Sequence, residues 1–110
     1  MIKTYEEACK KLKQKPIDFT NIPVEVQSLI KLTAIIKVLN EGWIPDCNNN
    51  SQRKYQIWWY WNGTAFVFLY YLTWTSATTV GSRLCFKSAE LAVYCAKTFG
   101  ELWNDYLQYV

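Results

Sequence analysis

The dipeptide Asn62-Gly63, set between two aromatic and β-branched runs, constrains this chain more than any other feature. A two-residue type I′ turn needs positive φ at both central positions, which Asn-Gly accepts at little cost. The flanks, Tyr55–Trp61 and Thr64–Trp74, have strand composition, so an antiparallel hairpin is expected. A tight turn also sets the register. One face then pairs Trp61 with Thr64, Trp59 with Phe66, Ile57 with Phe68, and Tyr55 with Tyr70. The other pairs Tyr60 with Ala65, Trp58 with Val67, Gln56 with Leu69, and Lys54 with Tyr71. The first face is almost entirely large and apolar and belongs against helices. The second mixes Lys54 and Gln56 with Trp58, Tyr60 and Tyr71. Three helices do not cover both sides of a sheet, so this second face is expected to be partly exposed.

Helical patterns flank the hairpin. Thr4 and Glu7 form a T-x-x-E capping box, and Tyr5, Ala8, Cys9 and Leu12 follow as one apolar stripe. Pro16 ends this short first helix. A linker leads to a second helix over Val24–Leu39, with Asn21 as its cap, Pro23 at its first position and Gly42 as its stop. Residues 45–53 form a polar loop and Thr75–Gly81 a small-residue loop. Arg83–Phe86 reads as a third short strand. Ser88 caps a long C-terminal helix, whose buried stripe runs through Leu91, Tyr94, Cys95, Thr98, Phe99, Leu102, Tyr106 and Leu107. Gly100 within it suggests close helix packing. The expected architecture is a single α+β domain, 1–110, in the order α-α-β-β-β-α. A three-stranded antiparallel meander (54–86) packs on helices, with a basic first helix in 1–15 and the last helix over 88–110.

Charge and composition narrow the function. The chain has 110 residues and a net charge of +3, and residues 1–15 hold five lysines against two glutamates, so the remainder is neutral. Lys10, Lys11 and Lys13 are therefore the candidates for electrostatic steering. The sequence has no histidine, which removes the commonest general base and metal ligand. No G-x-G-x-x-G, phosphate loop or H-E-x-x-H occurs, and the nine carboxylates are scattered. Catalysis, a bound metal and a cofactor are accordingly not expected. Cys9, Cys47, Cys85 and Cys95 contain no C-x-x-C pair and read as reduced thiols of a cytoplasmic protein. No apolar run approaches the ~18 residues that span a bilayer. Ten of the nineteen aromatics fall between Tyr55 and Trp74, which marks the hairpin as the surface to suspect.

Three stretches, Lys3-Thr-Tyr-Glu-Glu-Ala-Cys9, Leu39-Asn-Glu-Gly-Trp-Ile-Pro-Asp46 and Gly81-Ser-Arg-Leu-Cys-Phe-Lys-Ser-Ala-Glu-Leu-Ala92, resemble a family of small uncharacterised proteins of Bacteroidetes phages and prophages. The resemblance spans most of the chain in order. It implies a setting, a mobile-element protein inside a bacterial cell, and no activity. In that setting small proteins often work by binding, including as inhibitors of host defence nucleoproteins such as CRISPR effectors.

The leading expectation is thus a non-enzymatic protein that binds a host protein or ribonucleoprotein through Trp58, Tyr60, Tyr71, Gln56 and Lys54. A second is direct binding of RNA or single-stranded DNA, with bases stacked on Trp58, Tyr60 and Tyr71 and phosphates held by Lys54, Arg53 and Arg83. A third is a self-associating phage component, a homo-oligomer.

Overall fold

The N-terminal helix forms where its capping signal lies. In α1 (Tyr5–Leu12) the Thr4 hydroxyl accepts the Glu7 N–H at 3.1 Å, and Tyr5, Ala8 and Cys9 are buried. The structure is a computed structural model and describes residues 1–108. Helix α2 (Val24–Leu39) starts at Pro23, which stands at the cap position itself. No side chain caps the helix there, so Asn21 does not have the capping role expected of it. At its far end Glu41 and Gly42 both adopt positive φ, 50° and 82°, and reverse the chain after the helix. Leu32, Ile35, Ile36 and Leu39 give α2 its buried stripe.

The hairpin consists of β1 (Lys54–Trp61) and β2 (Phe66–Trp74), paired antiparallel. Its turn is wider than expected. The Asn62 side-chain oxygen accepts the N–H groups of both Thr64 and Ala65 at 2.9 Å, while the Asn62 N–H donates to the Ala65 carbonyl at 3.1 Å. Four residues therefore make the turn, and the first strand pair is Trp61 with Phe66. A shift of two keeps each side chain on its expected face. A second irregularity does not. Trp59 pairs with Phe68 but Trp58 pairs with Tyr70, which leaves Leu69 as an extra residue in β2. Beyond that bulge the faces of β2 exchange.

The sheet has two strands rather than three. Where a third was expected, Phe86 makes a single bridge to Tyr55, with hydrogen bonds of 2.9 and 2.7 Å. A turn at Arg83–Leu84 carries the backbone away from β1 before a second pair can form. The opposite edge of this segment is occupied by Asn40, whose amide donates to the Cys85 carbonyl and accepts the Lys87 N–H. A second asparagine does the same for β2. Asn104 accepts the Phe66 N–H at 2.8 Å and donates to the Phe66 carbonyl at 2.7 Å.

The C-terminal helix is likewise broken in two. Ser88 caps α3 (Ala89–Thr98), as expected, and α4 (Gly100–Leu107) follows after a bend at Phe99. A side chain added at Gly100 would meet nothing within 4 Å, so this glycine does not serve close packing. Trp103, four residues after Phe99, is buried in α4, and Thr98 is exposed. The expected extension of this helix to 110 lies partly outside the described residues. The layers run α1 on α2, α2 on α4, and α3 with α4 beneath the sheet. The α+β class is as read from the sequence. Among the described residues no helix is long and apolar enough to cross a membrane.

Candidate functional site

The hairpin face turned away from the helices is built from alternate residues of β1 (Lys54, Gln56, Trp58 and Tyr60). Their partners across the ladder are Trp74, Leu72, Tyr70 and Val67. Its two halves differ in kind. At the root, Lys54 is completely buried. Its ammonium donates to the carbonyls of Asp46 at 2.6 Å, Thr75 at 2.8 Å and Asn49 at 3.2 Å, and lies 5.3 Å from the centre of the Trp74 ring. Gln56, also buried, accepts the Thr78 hydroxyl at 3.1 Å and donates to the Thr79 hydroxyl. The loops at 45–53 and 75–80 thus close over the root. Neither is spare polar surface: each supplies the oxygen atoms that a buried cation or amide needs.

The distal half is open. Trp58 is 46% exposed, Tyr60 56% and Tyr70 57%, with Val67, Leu72 and the bulge residue Leu69 exposed around them. Trp58, Tyr60, Val67, Leu69 and Leu72 make this half of the face exposed and mostly apolar, with a phenol and an indole among them. Such a surface is costly to leave in water, and it matches the composition of binding hot spots.

Only part of the expected constellation assembles here. Trp58 and Tyr60 stand as read from the sequence. Tyr71 does not: the bulge brings it opposite Ile57, half-buried against the core, and sets Tyr70 opposite Trp58. The Tyr70 ring stacks on that of Tyr71 with centroids 4.6 Å apart, so it lies along the edge of β2 and not squarely on the outer face. Lys54 and Gln56 are interior groups. Arg53 is exposed just before the covered root, and Arg83 is exposed on a separate groove beside Lys37 and Trp43. Lys10, Lys11 and Lys13 are exposed on α1, whose packing partner is α2 rather than a strand. The cations expected to flank the aromatic platform are therefore buried or dispersed. Tyr70 and Leu72 were missed, because nothing in the sequence marks the bulge that sets them opposite Trp58 and Gln56.

No family model, curated protein or solved structure matches the chain. The site must speak through its geometry.

Beneath the face the packing is firm. Trp59 lies 5.5 Å from Trp103, whose indole N–H donates to the Cys95 sulfur at 3.4 Å. Burial pushes the Cys95 thiol up to about 12, partly offset by that indole. Burial likewise raises Cys85 to about 11. Both are neutral thiols without nucleophilic character near neutral pH. Cys47 alone is exposed. Among the described residues no three of the Cys, Asp and Glu side chains gather as a metal site.

Proposed function

We propose that this chain is a non-enzymatic binding protein that docks a protein partner on the distal half of the outer hairpin face. The observation that carries the reading is the clustered exposure of Trp58, Tyr60 and Tyr70 on a strand pair whose other face is anchored to the core. A rigid aromatic surface loses little conformational entropy on binding. The scarcity of cations around it favours a protein surface over a phosphate backbone, since stacking without phosphate contacts gives up the main source of nucleic-acid affinity. The setting implied by the sequence resemblance makes the partner a host protein or ribonucleoprotein of a bacterial cell. A CRISPR effector held in an inhibited state is one such target. The lysines of α1 would steer the approach to an acidic partner.

The test compares the wild-type protein with Trp58→Ala/Tyr60→Ala/Tyr70→Ala in affinity capture from bacterial host lysate. Titrations against single-stranded RNA and DNA at two salt concentrations accompany it. The expected result is a specific protein retained by the wild type and lost by the variant, with the variant's unfolding midpoint little changed. Equal capture by both forms overturns the reading. So does tight nucleic-acid binding that falls steeply with salt.

A further inference from the structure

We infer that the groove between the end of α2, the turn at Gly42–Pro45 and the bend at Ser82–Arg83 binds a small amphiphilic anion, a carboxylate or phosphate carried on a flat apolar body. The groove has a volume of about 610 Å³, within the range of ligand pockets. Ile36, Trp43, Ile44 and Pro45 supply its apolar wall. The charged groups on that wall are Lys37 and Arg83, and no carboxylate faces them. Neither cation makes an ion pair or a hydrogen bond among the described residues. The nearby acids are engaged elsewhere: Glu41 lies 3.7 Å from Lys87, and Asp46 accepts the Asn48 N–H.

The two cations do not carry equal weight. Lys37 sits in the last turn of α2, where a positive charge also offsets the carbonyl end of the helix. Arg83 comes from a different loop and has no such duty. Its planar fork suits a carboxylate or phosphate. The walls are held in place before any ligand arrives. Asn40 is buried at the junction, and its carbonyl accepts the Trp43 N–H at 2.9 Å. Its side chain also holds Cys85 and Lys87, so the turn and the bend are tied to one residue. A preformed apolar wall with two unpaired cations selects a ligand that is both apolar and negative.

The probes are indole-3-acetate and adenosine monophosphate, each set against its neutral counterpart, indole-3-acetamide and adenosine. Binding to the full chain is followed through the Trp43 indole N–H resonance, assigned with Trp43→Phe. The expected result is a saturable shift with at least one anion, about tenfold weaker for its neutral counterpart and in Lys37→Ala/Arg83→Ala. Which anion saturates distinguishes a carboxylate ligand from a phosphate ligand. Three results overturn the proposal: no saturable shift with either anion, binding that the double variant leaves unchanged, or shifts at the Trp58 and Trp61 indoles in place of Trp43. The groove shares no lining residue with the outer face, so failure of either reading leaves the other standing.

Discussion

A lysine that opens a strand beside a polar loop has every local sign of a surface charge, and Lys54 is instead fully buried, among the largest such side chains of the described residues. What overrides the local signs is a cage of three carbonyls drawn from Asp46, Asn49 and Thr75. The ammonium in turn pins two loops to the root of the hairpin. Lys54→Met keeps the aliphatic stem but strips the three carbonyls of their donor. Hydrogen bonds from a charged group contribute more than neutral ones, so the variant should lose roughly 2–4 kcal/mol of stability, read from urea unfolding. A shift below about 0.5 kcal/mol would mean that the cage is solvated and the cation dispensable. Asn40 and Asn104 were equally hidden from a reading of the sequence. Each mimics a strand backbone with its side-chain amide, and its partners lie 38 to 47 residues away along the chain. No local pattern announces that role.

At the scale of the elements, the hairpin was legible and its register was not. Asn-Gly between two aromatic runs points to a turn, and the turn is there. The Asn62 side chain competes for the N–H groups of Thr64 and Ala65 and so widens it to four residues. The prediction follows from the chemistry of that oxygen. Asn62→Asp keeps the acceptor and should leave stability within about 0.5 kcal/mol of the wild type, while Asn62→Ala should cost about 1 kcal/mol. Equal losses in the two variants, measured by thermal and urea unfolding, would show that the side chain does not set the turn. The bulge at Leu69 has the larger consequence, since it sets Tyr70 opposite Trp58 and Tyr71 opposite Ile57, against the core. The same limit applies to the third strand and the last helix. Arg83–Phe86, expected as a strand, holds a turn at Arg83–Leu84 and a single bridge at Phe86, and the expected long helix is bent at Phe99.

Over the whole molecule, one core joins all four helices to the inner face of the sheet. Its buried thiols couple that core to pH. An unfolded cysteine titrates near its ordinary 9.0, whereas folding raises Cys85 to about 11 and Cys95 to about 12. Burial raises the Tyr5 phenol in the same sense. Above pH 9.0 the unfolded chain therefore releases protons that the native state retains, and stability falls as pH rises towards 12. Below pH 9.0 these thiols contribute no slope. Urea midpoints measured through the alkaline range should fall progressively in the wild type and less steeply in Cys95→Ala compared with its own neutral-pH value. A flat profile in the wild type would contradict the burial. The class of the fold, the helix starts at Thr4 and Ser88, the existence of the hairpin and its exposed Trp58 and Tyr60 all follow from interactions within a few residues. Periodicity, capping and turn chemistry act over that range, and the sequence displays them directly. The turn width, the bulge that exchanges Tyr70 and Tyr71, the burial of Lys54 and the gathering of Lys37 and Arg83 on one groove belong to the tertiary structure. Each depends on hydrogen bonds and packing whose partners only the folded chain brings together.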